Sequence, residues 1–362
     1  MGVFPHLLWT TPATAISVLR VSAMNIDTRP PRRDAALPHQ PPHKASYERP
    51  YAALVDGTPV RDADQEIRGV RAHVRVYGDA AAPRRMVFLH GLRGDHHGLE
   101  PIVAHLVKEC PDLQVWVPDL PGFGDSAPLP DGVHDVAGYA AWTAELLAAV
   151  IPGEGAVIPE GDVVLAGHSF GSIIAAATMA ASDVPAVRGL VLVNPIATAA
   201  LAGPKRVLSA VTVGVHRLAA ALPEPAGTGL LRHPLFTRIA SVAMVTTGDR
   251  ELRRWIHAEH DRYFSGFADR RTLLEAFHAS VGTDVAAYAP RISAPTLLVA
   301  SENDDVAPLA SQRVLEAMFA NARLAVVPRI GHLAHYEAPD VVARATADFL
   351  AALGAPSTRD EQ

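Results

Sequence analysis

The sequence contains a single cysteine, Cys110, among 362 residues. One thiol cannot form an intramolecular disulfide, and a structural zinc site built from several thiolates is excluded. The chain also lacks an uninterrupted apolar run of about 18 residues, so we expect no membrane-spanning helix. The first 23 residues are moderately apolar but lack a basic start and a clean cleavage site. A true start at Met24 fits at least as well as a signal peptide, and we expect a cytoplasmic protein.

Positive charge is scarce for a nucleic-acid-binding protein. The chain has 32 Lys and Arg against 38 Asp and Glu, a net charge of −6, whereas nucleic-acid binders usually carry a basic surface. Hydrophobic residues make up 49% and charged residues 19%, which is typical of a globular protein and not of a disordered one. The composition therefore predicts a globular protein with no nucleic-acid partner.

The pattern along the chain divides it into segments. Arg29 to Pro50 is rich in proline and charge, so we predict a flexible N-terminal extension over residues 1–50. Short β-branched runs then alternate with Ala- and Leu-rich stretches, as in a mainly parallel sheet covered on both faces. We predict one part of this α/β core over 51–200, a second part over 291–355 and a tail over 356–362.

The predicted strands are short, and several are apolar at every position, as expected of strands buried on both faces. They cover Val70–Val76, Met86–Leu89, Val115–Val117, Val163–Ala166, Leu190–Val193, Thr296–Ala300 and Ala322–Val327. Amphipathic stretches at Gly138–Ile151 and Asp340–Leu353 are predicted helices between and after them.

Residues 201–290 interrupt the alternation because they contain no convincing strand. Val207–Leu222, Glu251–Phe264 and Arg271–Val281 have helical patterns, and the Pro- and Gly-containing stretch Pro223–Gly229 reads as a break. We predict a helical insertion between two strands of the sheet.

The strongest chemical signal is Gly167-His168-Ser169-Phe170-Gly171, between a predicted strand and a predicted helix. This G-x-S-x-G pattern at a strand–turn–helix junction is a nucleophile elbow, in which Ser169 sits in a tight turn and its hydroxyl projects into a cleft. Glycines are needed because neighbouring side chains would collide there. The following helix points its N-terminus at the site, which favours a developing oxyanion.

The segment His90-Gly91-Leu92-Arg93-Gly94 follows the strand Met86–Leu89. Acyl transfer needs two backbone N–H groups to bind the oxyanion. We expect Phe170 to supply one, as the residue after the nucleophile, and Leu92 to supply the other.

Two further segments supply a base and an acid for Ser169. Asp304 and Asp305 follow the strand Thr296–Ala300, and His332 follows the last predicted strand. A serine hydroxyl needs a base to become nucleophilic, and the base needs an acid that fixes its tautomer. The chain order Ser169, Asp304, His332 is that of the α/β-hydrolase triad.

On these residues the sequence resembles the α/β-hydrolase family, in the serine-nucleophile branch with a helical cap, over about Tyr51 to Gly354. The turn segment Pro118 to Ser126 and the stretch Gly331 to Pro339 are also similar to the family's patterns. The resemblance implies an α/β fold with a mostly parallel eight-stranded sheet flanked by helices, and a cap over 201–290. It also favours Asp304 over Asp305, because the family's acid stands four residues before a proline, here Pro308.

The sequence departs from the family pattern at two positions. Ser172 stands where a second glycine often follows the elbow, and Ser301 replaces the glycine that usually opens the acid loop. Some relatives carry the acid after the sixth strand, but this chain has Asn194-Pro195 there. Because Ser169 replaces the aspartate nucleophile of dehalogenase-like and epoxide-hydrolase-like relatives, those two activities are disfavoured.

Several residues keep two interpretations. Arg93 is either a surface charge or a ligand for a substrate carboxylate. His96 and His97 either line the pocket or belong to a solvated loop, and His168 is expected to give buried support. The aromatic residues of the insertion form either a substrate lid or the insertion's own core; they are Trp255, Phe264, Phe267 and Phe277.

The sequence thus predicts a serine hydrolase with no cofactor and no metal, acting on a small carboxylic ester or related acyl substrate. Two other enzymatic reactions use the same triad: hydrolysis of a C–C bond in a ring-cleavage product, and cofactor-free perhydrolysis. A non-catalytic protein that binds a small ligand on this fold is the alternative from a different class. Substrate identity and oligomeric state are not encoded in these motifs.

Overall fold

The computed structural model describes residues 50–130, 133–150, 163–181, 187–198 and 206–354, with backbone alone for 206–211. The predicted N-terminal extension, apart from Pro50, and the predicted tail lie outside these ranges, as do residues 201–205 at the start of the predicted insertion. The domain boundaries therefore stay predictions. No helix in the described ranges is long and apolar enough to cross a membrane.

Eight strands form one sheet, in the spatial order β1-β4-β6-β5-β7-β8-β9-β10. β4 pairs antiparallel with β1 and β6, whereas the six strands from β6 to β10 in this order are parallel. β2 and β3 form a separate two-stranded antiparallel ribbon. The strands are β1 Val60–Asp62, β2 Gln65–Ile67, β3 Val70–Ala72, β4 Val74–Tyr77, β5 Arg84–Leu89, β6 Leu113–Pro118, β7 Val163–His168, β8 Val187–Val193, β9 Thr296–Ser301 and β10 Ala322–Val327.

Helices cover both faces of the sheet, and alternate residues of the central strands point into two separate cores. Val87 and Leu89 of β5 join one core with α3 and α4. Met86 and Phe88 join the other with α2 and α12. The helices outside the insertion are α1 Ala52–Asp56, α2 Glu100–Glu109, α3 Val136–Val150, α4 Phe170–Met179, α10 Leu309–Glu316, α11 Ala334–Glu337 and α12 Pro339–Ala352. The predicted mostly parallel sheet with flanking helices is confirmed.

The described part of the chain between β8 and β9 contains five α-helices and no strand. They are α5 Arg206–Ala221, α6 Glu224–Leu231, α7 Pro234–Met244, α8 Arg250–Tyr263 and α9 Arg270–Gly282. The predicted break at Pro223–Gly229 is too long, because the interruption after α5 ends at Pro223, which occupies the N-cap position of α6, and Pro225 lies in the first turn of that helix. A proline there sacrifices no helical hydrogen bond, so it starts a helix and does not end one.

The predicted strand Val70–Val76 is two strands, separated at His73. The edge strand β1 escaped prediction because all three of its residues are exposed, which removes the alternating pattern of a half-buried strand.

The parallel strands place their carboxyl ends at one edge of the sheet. The loops there follow β5, β6, β7, β8, β9 and β10 in the chain. In open α/β sheets this edge is where ligands bind, and the motif residues of the sequence analysis lie on these loops.

Candidate active site

Ser169 occupies the turn between β7 and α4, with φ 52° and ψ −116°. Non-glycine residues adopt a positive φ only under strain, and such strain concentrates at functional sites. The turn leaves no space for side chains at its two glycines. A Cβ at Gly167 would overlap the carbonyl group of Gly171, and one at Gly171 would meet the carbonyl oxygen of Leu89. These contacts explain why the elbow needs glycine at both positions.

His332 lies between Ser169 and Asp304. Its Nε2 is 2.8 Å from Ser169 Oγ, and its Nδ1 is 2.7 Å from Asp304 Oδ2. Because Asp304 can only accept, Nδ1 carries the proton, and the lone pair on Nε2 is left for the serine hydroxyl. The structure therefore brings together the three predicted residues in the geometry that activates a serine.

Asp304 is buried and held by four donors. Oδ1 accepts from the backbone N–H groups of Val306 and Ala307 at 2.8 and 2.9 Å. Oδ2 accepts from His332 and from Asn194 Nδ2, the latter at 2.7 Å. Burial opposes the charged carboxylate, but His332 and these donors prevail and lower the pKa of Asp304 to about 2. Asp305 is exposed, so the geometry favours Asp304 as the acid.

Asn194 is a site residue that the sequence analysis did not assign. It follows β8 with a φ of 46°, and its amide bridges Asp304 to Ser301 Oγ, 2.9 Å away. The available signal was its position, since some relatives carry the acid there. In this chain the side-chain amide of Asn194 instead donates a hydrogen bond to Asp304, on the loop after β9.

The two predicted oxyanion donors are the backbone N–H groups of Leu92 and of Phe170, the residue after Ser169. Neither has a hydrogen-bond acceptor in the described part of the chain. The loop holding Leu92 runs directly against Ser169, because a Cβ on Gly91 would lie 3.3 Å from Ser169 Cβ. Two unengaged donors beside a nucleophile are what a tetrahedral oxyanion requires.

His90 fixes the start of this loop. Its Nε2 accepts the backbone N–H of Leu120 at 2.9 Å, and its Nδ1 donates to the carbonyl of Gly91 at 2.8 Å. One neutral tautomer satisfies both bonds, so the ring ties the loop after β5 to the loop after β6.

His168 lies behind the nucleophile. Its ring is buried, and its Nε2 lies 3.4 Å from the carbonyl oxygen of His332. Burial and the neighbouring His332 lower the pKa of His168 to about 3, so the ring is neutral. The ring is buried, as expected, and its supporting role stays a prediction.

Ser172, which departs from the family pattern, also supports the elbow. Its Oγ donates to the carbonyl of Ser169 at 2.5 Å and accepts the backbone N–H of Ile196 at 3.2 Å. The hydroxyl thus links the nucleophile turn to the loop after β8, which holds Asn194.

His96 lies in neither of its two expected places. It is buried, and Asp119 Oδ1 accepts both its backbone N–H and its Nδ1, at 2.8 and 2.9 Å. Burial disfavours both charges, but their mutual attraction prevails, raising the pKa of His96 and holding that of Asp119 well below its usual range. His97 is partly exposed and stacks on Tyr263. A buried ion pair therefore anchors the loop after β5.

One described cluster has the composition of a metal site: His73, His96 and Asp119, with candidate ligand atoms within 4.8 Å of one another. Its carboxylate is already occupied, because Oδ1 accepts from His96 and Oδ2 from the backbone of Asp125. His73 Nδ1 is bonded to Asp64. A metal ion would have to displace these hydrogen bonds. The geometry therefore favours a structural role for the cluster, which holds the loop after β5 in place.

Arg93 is not at the surface, so the surface-charge interpretation is wrong. Its side chain is 4% exposed and donates to the carbonyls of Leu231 and Phe264 in the insertion. The sequence pattern could not show this, because the partners are backbone atoms far along the chain.

The aromatic residues of the insertion pack against different parts of the molecule. Trp255 is buried edge-to-face against Tyr336, and Phe277 stacks on His216 with ring centroids 3.7 Å apart. Phe267 is 1% exposed and belongs to the core that also contains α3 and α4. Phe277 therefore packs within the insertion, whereas Trp255 and Phe267 join it to the rest of the fold, and these contacts do not favour a free lid.

The comparisons with known proteins agree with this architecture. Residues 86–345 match the family model described as alpha/beta hydrolase family. An esterase from Exiguobacterium antarcticum is similar in structure, with 18% identity, a TM-score of 0.63, and coverage of 80% of this chain and 100% of that one. An enol-lactonase from Burkholderia xenovorans LB400 has 22% identity, a TM-score of 0.60, and coverage of 80% and 100%. A bromoperoxidase from Bacillus anthracis has 17% identity, a TM-score of 0.60, and coverage of 81% and 99%.

Proposed function

The chain belongs to the alpha/beta hydrolase family, and from that premise we propose that it is a serine hydrolase acting on a small carboxylic ester or related acyl substrate. The observation that carries the proposal is the continuous chain from Ser169 Oγ through His332 to Asp304, with contacts of 2.8 and 2.7 Å. The esterase and lactonase among the similar structures are consistent with acyl chemistry, although at such low identity they support the fold alone.

In the first half of the proposed reaction, Ser169 Oγ bonds to the substrate carbonyl carbon while His332 Nε2 takes the hydroxyl proton. The carbonyl oxygen becomes an oxyanion and accepts from the backbone N–H groups of Leu92 and Phe170. Asp304 stays charged and stabilises the imidazolium. The tetrahedral intermediate collapses, the bond to the leaving group breaks, and the leaving oxygen takes the proton from His332.

In the second half, water attacks the acyl carbon and gives its proton to His332. Collapse of the second tetrahedral intermediate breaks the bond to Ser169 Oγ, which recovers its proton from His332. The carboxylic acid leaves and the enzyme is regenerated. No metal or cofactor is required in this sequence of steps.

The helical insertion serves as a cap in this proposal. It contacts the loops of the site directly, because Arg93 donates to its backbone and Gly331, next to the base, donates to Thr246 Oγ1 at 2.8 Å. We propose that its shape selects the substrate.

A fluorophosphonate probe with intact-mass analysis tests the assignment. We expect one covalent adduct on the wild-type protein and none on Ser169→Ala. Ester turnover should fall about 10⁴–10⁶-fold in that variant, because the nucleophile, base and acid act as a unit.

Ser311→Ala is the matched control, since Ser311 lies on α10, outside the proposed machinery, and should leave the adduct intact. A folded wild-type protein that takes up no probe would contradict the proposal and favour the ligand-binding alternative. Faster turnover of a coloured dienol than of esters would point to C–C hydrolysis.

A further inference from the structure

Arg93 places a positive charge inside the molecule, next to the oxyanion loop. It directly follows Leu92, and its backbone has a φ of 64°. Its side chain is 4% exposed. An arginine is rarely buried unless its charge is paired.

The surroundings of the guanidinium come from the insertion. Nε donates to the carbonyl of Phe264 at 3.0 Å, and Nη2 to that of Leu231 at 2.8 Å. The guanidinium carbon lies 5.1–5.5 Å from the ring centroids of Phe236, Phe264 and Phe267. Aromatic faces attract a cation, but they do not replace a counter-ion.

No carboxylate in the described ranges forms an ion pair with Arg93. Its third nitrogen, Nη1, is buried and has no hydrogen-bond acceptor there. Burial lowers the pKa of Arg93 to about 10, and no neighbouring acid opposes this shift. Among the residues that the structure describes, this buried charge is therefore uncompensated, which is costly to maintain.

The charge of Arg93 also affects the pKa of a residue in the insertion. His216 on α5 shares Phe236 as a ring neighbour with Arg93. Burial is the main cause that lowers the pKa of His216 to about 4, and the charge of Arg93 lowers it further.

Packing alone does not explain this charge, because an uncharged side chain of similar length would fill the same aromatic cage. An anionic ligand would explain it, since a carboxylate accepts charge-assisted hydrogen bonds from guanidinium nitrogens. The rings and carbonyls around Arg93 all belong to the insertion. Binding of a ligand at the buried Nη1 therefore requires the insertion to move.

We propose that Arg93 is a specificity residue that binds a free carboxylate on the substrate, through Nη1, while Ser169 attacks the ester or lactone carbonyl. The inference rests on the proposed function for the reaction at Ser169. Binding of a carboxylate at Arg93 does not depend on that reaction. The predicted substrates are half-esters of dicarboxylic acids, or lactones that retain a free carboxylate.

Two chromogenic esters of similar size test the preference: 4-nitrophenyl hydrogen glutarate, which is anionic, and 4-nitrophenyl pentanoate, which is neutral. We expect the wild type to favour the anionic ester at least ~10-fold in kcat/KM, the size of one charge-assisted hydrogen bond. Arg93→Met should lose about 10–100-fold on the anionic ester and less than about threefold on the neutral one. Arg93→Lys should keep part of the preference.

Arg232→Met is the matched control. Arg232 also lies over Phe267, at 4.8 Å, and donates to its carbonyl, but it is exposed. It should leave the preference unchanged. A wild type without preference, or equal losses on both esters in Arg93→Met, would overturn the proposal and leave Arg93 a structural tie to the insertion.

Calorimetry with monomethyl glutarate on Ser169→Ala separates this inference from the proposed function. Binding should be measurable without turnover, and should be lost in the Ser169→Ala/Arg93→Met double variant and for dimethyl glutarate. Equal binding of both compounds would overturn the carboxylate site even if Ser169 reacts with the probe. If Arg93→Met does not fold, the comparison of monomethyl glutarate with dimethyl glutarate on Ser169→Ala still decides whether the site binds a free carboxylate.

Discussion

At the scale of single residues, Asn194 shows how the charge of Asp304 is maintained. The amide supplies one of the four donors around this carboxylate, whose pKa is about 2. Wild-type Asp304 therefore stays charged throughout the pH range in which a histidine base works. The sequence predicted the three residues of the proposed triad because each lies in a local motif. It missed Asn194 because the contact with Asp304 spans 110 residues.

Two substitutions of Asn194 separate the effect of losing its hydrogen bond to Asp304 from the effect of adding a charge beside Asp304. Asn194→Ala removes a hydrogen bond to a charged group, so kcat/KM should fall about 10–100-fold, by a similar factor at every pH. Asn194→Asp places a second carboxylate beside Asp304, and two such groups cannot both ionise easily, which raises the pKa of the pair. As pH falls, the introduced acid takes a proton and can donate again. The kcat/KM of Asn194→Asp relative to that of the wild type should therefore increase as the pH is lowered from 8 to 5, and pH–rate profiles would measure this. A pH-independent ratio for Asn194→Asp, or a pH-dependent one for Asn194→Ala, would contradict this argument.

At the scale of elements, the site depends on how closely α4 approaches β5. Strand positions could be predicted because buried parallel strands are apolar at every position. Helix α6 could not, because the proline and glycines in its sequence suggested a break. The approach of α4 to β5 was implied only by the glycines of the elbow. The structure makes this contact explicit, since a Cβ on Gly171 would meet the carbonyl of Leu89 and lie 2.7 Å from that of His90.

Gly171→Ala should therefore push α4 away from β5. We expect the free energy of unfolding to fall by about 1–3 kcal/mol, as in overpacked cores, and the reaction with fluorophosphonate to slow because Phe170 moves with the helix. Gly214→Ala is the matched control. Gly214 lies within α5, and a Cβ there meets nothing within 4 Å, so alanine should stabilise by about 0.5–1 kcal/mol. Denaturant unfolding measures both variants, and equal stability changes would contradict the packing argument.

At the scale of the whole molecule, the insertion is held against the loop that contains His332, the proposed base. Thr246, between α7 and α8, donates through its backbone N–H and Oγ1 to Glu337, at 2.7 and 2.5 Å. Its Oγ1 also accepts the backbone N–H of Gly331 at 2.8 Å. Gly331 directly precedes His332, so one hydroxyl contributes both to the position of the insertion and to that of the proposed base. Such contacts link segments that are distant in sequence, so the hydrophobic periodicity of the chain does not predict them.

Removing that hydroxyl should loosen the insertion without unfolding the core. In Thr246→Val, the side-chain bonds to Glu337 and Gly331 are lost, whereas the two hydrophobic cores are untouched. We expect faster hydrogen exchange in peptides covering residues 244–249 and 329–333, a changed KM for esters, and a stability loss of about 1 kcal/mol, near the net value of a hydrogen bond. Thr246→Ser keeps the hydroxyl and should exchange like the wild type. Unchanged exchange in Thr246→Val would mean that the insertion is held elsewhere. Faster exchange across β5 and β7 would mean that the hydroxyl stabilises the whole fold. Either result would contradict a local contact that holds the insertion against the loop containing His332.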